Sequence, residues 1–225
     1  PVRIGFADAR EGAPLAYTHR VETTEVHTVD RMHALVHAAG VPIIEDLRLH
    51  APEGPKMPRG VIAVAPTSRW ASKRWPIDRF ASVVEALVDS SAVAIVGAGG
   101  ERAQCAPLLE RFQEDDRVLD LVGRTSIGDL MRLVEGASLV LANDSAALHM
   151  AVGFDRPIVA LYGPTDVTRV GPWRREADVV QHLEAGDDLR HKRDEQVSLM
   201  HRIGVDEVIE RCRRALSHSP ARTPS

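Results

Sequence analysis

The sequence contains few of the residues and segments on which several classes of protein depend. Cys105 and Cys212 are its only cysteines, they lie far apart, and neither belongs to a CxxC pair. Two such cysteines are typical of reduced, buried thiols, so neither a disulfide framework nor a cysteine-bound metal is expected. No apolar run approaches the roughly 20 residues that a membrane-spanning helix needs.

The sequence also lacks a net positive charge, and aromatic side chains are scarce. The formal net charge is −4, and Phe, Trp and Tyr together make up 4% of the residues. Proteins that bind nucleic acids usually carry a basic surface and stack aromatic rings on bases, so no nucleic-acid partner is expected. The His, Cys, Asp and Glu residues show no metal-ligand spacing, and neither a metal nor a cofactor is expected. The hydrophobic fraction of 44% and the charged fraction of 27% are those of a globular domain.

The first 60 residues show the pattern of a domain end followed by a linker. Val2–Ala7 is a short apolar strand candidate, and the apolar residues of Thr28–Ala39 recur at helical spacing. One strand and one helix cannot close a hydrophobic core, so we predict that residues 1–42 are the end of an N-terminal domain. Four prolines interrupt residues 41–60, and residues 43–60 are predicted to be an interdomain linker.

From Gly60 onward, short apolar strands alternate regularly with amphipathic helices. The predicted strands are Val61–Ala65, Ala92–Val96, Val118–Leu121, Leu139–Ala142, Ile158–Tyr162 and a sixth around Val179–His182. The predicted helices are Asp78–Asp89, Glu101–Gln113, Ile127–Glu135, Ala146–Phe154 and Val205–Leu216. Strands this short and apolar are covered on both faces, and the alternation predicts a doubly wound α/β domain with a parallel sheet over residues 61–217. The polar, proline-containing segment 218–225 is predicted to be a disordered tail.

Ligands of such sheets bind beyond the carboxyl ends of the strands, where helix N-termini offer free N–H groups to phosphate. After the first of these strands, segment 66–76 offers the hydroxyl groups of Thr67 and Ser68 and the charge of Lys73. Together these groups suit a diphosphate. The alternative is a solvated basic loop whose tryptophans anchor it to the domain, and the residue spacing favours neither interpretation.

Two further loops at this edge carry candidate ligand-binding residues. Gly99 belongs to the segment Gly97–Gly100, where glycines allow a ligand to approach the backbone. Glu101 begins the next helix and either accepts hydrogen bonds from ribose hydroxyls or complements the helix dipole. The glycines resemble a dinucleotide fingerprint, but that motif normally follows the first strand, so a nicotinamide-dependent oxidoreductase is disfavoured. After the fifth strand, a Gly-Pro turn leaves Thr165 available for a phosphate or for local capping.

The segment after the fourth strand has a strong helix N-terminus signature. Asn, Asp and Ser side chains cap free N–H groups, and one cap is enough, so Asp144 is a spare acceptor that suits sugar hydroxyls. Ser145 and Ala146 begin the helix. His149 lies one turn further along, on the face that meets a ligand or the neighbouring strand, although a lone helical histidine is more often structural.

Taken in order, these loops resemble the C-terminal domain of the ADP-heptose:lipopolysaccharide heptosyltransferases, the ninth family of glycosyltransferases. The matching strings are APTSRWASKRWP at 65–76, VGAGGE at 96–101, LVGRTS at 121–126, LANDSAALHMA at 141–151 and ALYGPTD at 160–166. The strings IGFADAREGAPLAYTHRV at 4–21 and HTVDR at 27–31 look like the end of that family's N-terminal domain. The resemblance implies a GT-B architecture of two Rossmann-like domains, of which this chain holds the C-terminal half and a remnant of the other.

The resemblance also implies an activity: inverting, metal-independent transfer of a heptose from ADP-heptose to a lipopolysaccharide core acceptor. The implied donor-binding residues are Thr67, Ser68, Lys73, Gly99, Glu101, Asp144, Ser145, Ala146, His149 and Thr165. Lys73 and Asp144 are the residues implied in catalysis, Lys73 by stabilising the departing ADP and Asp144 by binding sugar hydroxyls. The lysine assignment stays open between Lys73 and Arg74.

Three parts of the family pattern have no counterpart in the sequence: the opening strand, the glycine-rich acceptor loop and the N-terminal aspartate thought to act as base. The base is therefore expected in an N-terminal domain outside these residues, and residues 1–225 alone are expected to bind the donor without transferring sugar. The family implies a cytoplasmic location and allows peripheral contact with the inner membrane. The alternative is a non-catalytic, nucleotide-binding protein of GT-B type.

Overall fold

A computed structural model of the chain describes residues 1–44, 46–189 and 197–218. The N-terminal part contains β1 (Ile4–Phe6), β2 (His19–Val21) and α1 (Thr28–Ala38). The larger part contains β3 (Ile62–Ala65), α2 (Ile77–Leu87), β4 (Val93–Ile95), α3 (Arg102–Arg111), β5 (Val118–Asp120), α4 (Ile127–Gly136), β6 (Leu139–Asn143), α5 (Ala146–Gly153), β7 (Ile158–Leu161), α6 (Val167–Val170), β8 (Val179–Val180), α7 (Val197–His201) and α8 (Val205–Ser217). The predicted tail lies outside the described residues, except for His218.

The larger part is built on a six-stranded sheet in the order β5-β4-β3-β6-β7-β8, with every neighbouring pair parallel. The chain enters at the middle of the sheet, winds outward to β5, and then crosses back to β6 on the other side of β3. This is the doubly wound order, so the predicted fold class is confirmed. The reversal leaves a switch point between β3 and β6, where loops at the carboxyl ends diverge and open a crevice.

Each face of the sheet buries its own hydrophobic cluster, because successive side chains of a strand point to opposite faces. Ile62 and Val64 of β3 pack in one cluster with α2, α3 and α8, whereas Ala63 and Ala65 pack in the other with α4 and α5. None of these four side chains is more than 4% exposed. Burial on both faces is the reason why the strands read as continuous apolar runs.

The start of α4 shows how local sequence fixes an element boundary. The hydroxyl of Ser126 accepts a hydrogen bond from the N–H of Asp129 at 3.1 Å. The Asp129 carboxylate in turn accepts one from the N–H of Ser126 at 3.0 Å. This reciprocal capping box starts the helix at Ile127, where the periodicity predicted it.

The N-terminal part differs from the prediction of a single strand, which is wrong. β1 and β2 form a two-stranded parallel sheet, and α1 lies against it. The sequence pattern missed β2 because His19 and Arg20 are exposed and only Val21 is apolar, so neither an apolar run nor alternation marks the strand. The assignment of residues 1–42 to an acceptor domain and of 43–60 to a linker stays a prediction. None of the described helices combines the length and apolar character needed to cross a bilayer.

Candidate functional site

Polar residues that the sequence places after different strands meet at the switch point. The loop after β3 contains a short 3-10 helix, Ala71–Lys73, and the chain after β6 passes almost directly into α5. Because β3 and β6 are hydrogen-bonded neighbours, these two loops leave the sheet side by side. A network of polar side chains centred on Asp144 forms there, and a second network, centred on Glu101, joins the loops after β3 and β4.

The Asp144 network joins the loops after β3, β6 and β7. Nζ of Lys73 lies 2.6 Å from Oδ2 of Asp144, and the hydroxyl of Thr165 donates to the same oxygen at 3.2 Å. Nε2 of His149 lies 3.8 Å from the other carboxylate oxygen. The Lys73 and Asp144 side chains are only 12% and 10% exposed, so this ion pair is largely withdrawn from water.

Asp144 remains ionised despite its burial. Burial alone raises the pKa of a carboxyl group, but the neighbouring His149 ring and the Lys73 ammonium outweigh it and lower the pKa of Asp144 below its ordinary value. A cation and an anion therefore satisfy one another where the sequence predicted contacts with a diphosphate and with sugar hydroxyls.

The Glu101 network fixes the loops after β3 and β4 against each other. The Thr67 hydroxyl donates to Oε2 of Glu101 at 2.8 Å, and the N–H of Ala98 donates to the same oxygen at 3.1 Å. The N–H of Ser68 lies 3.4 Å from Oε1 of Gln104. Thr67 and Ser68 are 5% and 7% exposed, which makes them part of the loop's packing. Glu101 thus supports the loops locally, and its contact with ribose stays a prediction.

Gly99 lies where the loops after β4 and β5 touch. Gly123 has a φ of +73°, and a Cβ on it would stand 2.8 Å from Cα of Gly99. The N–H of Gly123 donates to the carbonyl of Gly97 at 2.9 Å. Glycine suits this position because of both the backbone conformation and the close approach. Loop packing therefore requires glycine at position 123, whereas a Cβ on Gly99 would meet only an ordinary contact at 3.7 Å, and the approach of a ligand to Gly99 stays a prediction.

The start of α5 differs from the predicted side-chain cap, which is wrong. Ser145 occupies the N-cap position, but its side chain caps no backbone N–H. The Asn143 and Asp144 side chains bond to other loops instead. Within the described residues, Oγ of Ser145 is buried and has no hydrogen-bond partner. The first N–H groups of a helix lack intrahelical partners and attract anions, and Ala146 at this end of α5 is exposed.

The two adjacent cations of segment 66–76 have different contacts. Lys73 faces Asp144, whereas Arg74 donates from its guanidinium to the carbonyls of Ser68 at 2.7 Å and Arg69 at 3.0 Å. Arg74 therefore holds the loop together, and Lys73 is the cation at the switch point.

Asn143 and Trp75 hold this loop to the sheet. Asn143 is 0% exposed. Its side chain accepts from the N–H of Trp75 at 3.2 Å and donates to the carbonyl of Pro66 at 2.7 Å. Trp75 is 1% exposed, and its indole N–H donates to the carbonyl of Ile203 at 3.1 Å. Anchoring by Trp75 agrees with the alternative interpretation of segment 66–76, in which tryptophans anchor a solvated loop. The same segment also presents polar side chains to the switch point, so the two interpretations are compatible. The sequence pattern predicts that Asn143 is a capping residue and does not predict its contacts with Trp75 and Pro66.

Gln181 is a further residue that the sequence did not single out. Its side-chain amide donates to the carbonyls of Gly163 at 2.7 Å and Thr165 at 2.9 Å. These bonds fix the loop from which the Thr165 hydroxyl reaches Asp144. A polar residue directly after β8 was the only signal for it in the sequence. Within the described residues, no group of three or more His, Cys, Asp or Glu side chains is arranged to hold a metal ion.

The sheet order, with its polar residues gathered at the switch point, defines a Rossmann-like α/β domain. The sequence model described as "Glycosyltransferase family 9 (heptosyltransferase)" matches residues 1–198, and the chain belongs to this family. The lipooligosaccharide heptosyltransferase 2 of Haemophilus influenzae is 26% identical over 152 residues, which are 66% of this chain and 44% of that protein. The chain thus spans less than half the length of this curated relative.

Solved structures show the same fold. The ADP-heptose lipopolysaccharide heptosyltransferase II of Escherichia coli superposes with a TM-score of 0.77 at 22% identity, covering 98% of this chain and 71% of its own. An Escherichia coli heptosyltransferase solved with ADP superposes with a TM-score of 0.63 at 23% identity, covering 89% of this chain and 65% of its own. At these identities the superpositions establish a common fold.

Proposed function

We propose that this chain binds ADP-heptose and presents it for transfer of the heptose to a lipopolysaccharide core acceptor. The transfer is taken to be inverting and independent of metal, with the described residues forming the donor side of the site. Membership of the family supports the proposal, as do the names of the heptosyltransferases it resembles and the ADP bound in one of them. With such an acceptor, the protein would work in the cytoplasm, in peripheral contact with the inner membrane.

The observation that carries the proposal is the arrangement of Lys73, Asp144 and the N-terminus of α5. A nucleotide sugar joins a diphosphate to a hydroxylated ring, so it needs positive charge next to hydrogen-bond acceptors. The Lys73 ammonium and the first N–H groups of α5 offer the positive charge, and the Asp144 carboxylate offers the acceptors. Oγ of Ser145, buried and without a partner among the described residues, adds a hydroxyl group at the same place.

In the proposed reaction, the oxygen of an acceptor hydroxyl bonds to the anomeric carbon of the donor sugar. The bond from that carbon to the β-phosphate oxygen breaks, and its electron pair leaves with ADP. The hydroxyl proton passes to a base, and a single displacement of this kind inverts the configuration. Lys73 and the α5 N-terminus stabilise the charge that develops on ADP, which is why no metal is invoked.

Donor binding requires an exchange of partners. Lys73 is paired with Asp144, so the diphosphate must replace Asp144 as the partner of the Lys73 ammonium, while sugar hydroxyls replace Lys73 as partners of the carboxylate. Thr165 and His149 keep Asp144 in place during this exchange. The base must face the anomeric carbon from the side opposite ADP, so we assign it to an N-terminal domain and not to Asp144, which lies on the donor side.

Isothermal titration calorimetry with ADP and with ADP-heptose, each with and without EDTA, tests donor binding. We expect both ligands to bind and EDTA to leave their affinities unchanged. Absence of binding would contradict the proposed donor site, and binding abolished by EDTA would contradict metal independence.

A transfer assay separates the enzyme from the non-catalytic alternative. Residues 1–225 are assayed beside a protein that joins them to the N-terminal domain of a family member, with ADP-heptose and a core acceptor. We expect donor binding by both and transfer by the longer protein alone. Donor binding without transfer in either protein would favour the non-catalytic alternative, and robust transfer by residues 1–225 would show that the base lies within them.

A further inference from the structure

A cavity of about 380 Å³ lies between α1 and the segment that follows α6. Its polar and aromatic lining consists of Glu25, Asp30, His33, His37, Trp173 and Arg174. We propose that this cavity binds a saccharide unit of the acceptor. The inference rests on the proposed function in one respect, namely that the acceptor is a glycan.

Hydrogen bonds between the N-terminal part and the larger part of the protein connect the two sides of the cavity. The indole N–H of Trp173 donates to Oδ1 of Asp30 at 3.0 Å. Nε2 of His27, at the start of α1, lies 3.1 Å from the carbonyl of Gly171. These bonds join α1 to the segment after α6 beside the cavity. The volume of the cavity falls within the roughly 300–1,000 Å³ usual for small-molecule sites, which often lie between domains.

The Trp173–Arg174 wall is held in a strained conformation. Arg174 has a φ of +57°, which is uncommon for a residue other than glycine. Its guanidinium lies 4.2 Å from the centre of the Trp173 ring. From the N-terminal part, the His33 ring contacts Trp173 edge-on, with 5.8 Å between ring centres. Backbone strain of this kind persists where the surroundings enforce it and is concentrated at ligand-binding sites.

The lining favours a neutral, hydroxylated ligand. Two carboxylates, two imidazoles and a guanidinium give the cavity no dominant sign of charge, whereas a phosphate site would be cationic. Each sugar hydroxyl both donates and accepts, and this lining offers acceptors in Glu25 and Asp30 and donors in Arg174 and the imidazoles. The indole of Trp173 adds an apolar surface of the kind that C–H groups of a sugar ring contact.

The position of the cavity fits an acceptor. Between Thr165, which bonds to Asp144, and Gly171 lies little more than α6, whose four residues rise by about 6 Å. The opposite wall is α1, in the part predicted to be the end of the acceptor domain. A saccharide in this cavity is thus held by both parts of the protein and lies beside the loop that leads to the donor site.

Saturation-transfer NMR of the full chain with a lipid-free core oligosaccharide tests the inference. The variants are Glu25→Ala and His37→Ala, both at exposed positions. The matched control is Glu85→Ala, which removes an exposed carboxylate from α2. Loss of one hydrogen bond to the sugar should weaken oligosaccharide binding roughly 2- to 12-fold in each test variant. The control should bind like the unchanged protein.

Calorimetry with ADP on the same variants keeps this inference apart from the donor site. We expect unchanged ADP affinity in all three variants. Oligosaccharide binding that is absent, or that the test variants leave unchanged, overturns the cavity assignment even if ADP binds. Failure of ADP to bind while the oligosaccharide binds in a Glu25-dependent manner overturns the proposed donor site and supports the cavity.

Discussion

Replacing Lys73 with alanine is the sharpest single perturbation of the candidate site, because it acts on stability and on binding through one contact. The substitution removes the cation that lies 2.6 Å from Asp144. It leaves a carboxylate that is 10% exposed without its main partner. The remaining partners are the Thr165 hydroxyl at 3.2 Å and the His149 ring at 3.8 Å.

The expected loss of stability follows from this geometry. Removing one member of a buried ion pair costs about 3–5 kcal/mol when the other charge is left alone. Because Thr165 and His149 still face Asp144, we expect a loss of about 2–3 kcal/mol in the free energy of unfolding. The folded-state pKa of Asp144 lies below its unfolded value of about 3.9, so the pair stabilises fully above pH ~4 and is lost as the pH falls through the folded pKa. The stability difference between the two proteins should therefore narrow below pH ~4.

The effect on binding should depend on the diphosphate. A charge-assisted hydrogen bond contributes about 1.5–3 kcal/mol. Lys73 must first leave Asp144, so we expect the lower end of this range, which corresponds to a roughly tenfold weaker Kd for ADP. Adenosine carries no phosphate, and its affinity should not change. Calorimetry with both ligands and urea unfolding at several pH values are the measurements.

Arg69→Ala is the matched control for this experiment. Arg69 is exposed, and its guanidinium lies over the Trp70 ring at 5.3 Å, so the change removes one positive charge from the same loop at a residue without a hydrogen bond or ion pair to Asp144. We expect little change in stability or in ADP affinity. Equal losses for ADP and adenosine in Lys73→Ala, or equal effects of the two substitutions on ADP, would refute the reasoning.

Three other changes test the surroundings of the site. Gln181→Leu removes two hydrogen bonds to the loop Gly163–Thr165. We expect it to lower the free energy of unfolding by about 1–3 kcal/mol and to weaken donor binding. Unchanged stability and donor affinity in calorimetry would show that the loop keeps its conformation without Gln181. Tyr162→Phe removes a hydroxyl that is buried without a partner among the described residues, so thermal unfolding should show equal or higher stability, and a marked loss would reveal a hidden hydrogen bond. Burial raises the pKa values of the two cysteine thiols to about 11 and about 12, so a thiol reagent at pH 8 should label neither until the protein is unfolded; labelling of the native protein would contradict their burial.

The strands and helices of the larger part could be predicted because burial determines which of their positions are apolar. β3 and β7 are continuously apolar, β6 is apolar up to Asn143, and the helices α2 and α4 carry apolar residues at helical spacing. The alternation of strands and helices also predicted parallel pairing, because right-handed crossovers connect parallel strands. β2 and the short helices α6 and α7 show no such pattern, because each buries too few side chains to impose a period on its sequence.

The residues of the site were predictable by type and by loop, but their partners were not. Asn143, Asp144 and Ser145 are all good capping residues, and the sequence alone cannot say that Asn143 spans to Pro66 and Trp75 instead. Such contacts join residues about 70 positions apart, and only the packing of β3 beside β6 brings them together. Local propensity therefore predicts a helix start here, whereas tertiary contacts decide which atoms are left for a ligand.

Segment 66–76 can be both an anchored loop and a ligand-binding loop, because anchoring lowers the entropy cost of binding. A lysine side chain loses about 2 kcal/mol of conformational freedom when it is ordered, and a ligand that had to order it would bind more weakly by that amount. Trp75, packed at 1% exposure, fixes the backbone of the loop, and Asp144 fixes the ammonium before any ligand arrives. The same carboxylate that orders Lys73 must be released on binding, so it needs new partners of its own, and sugar hydroxyls are of the right kind. On this reasoning a free diphosphate, which offers Asp144 nothing, should bind less favourably than a nucleotide sugar, which replaces both halves of the ion pair.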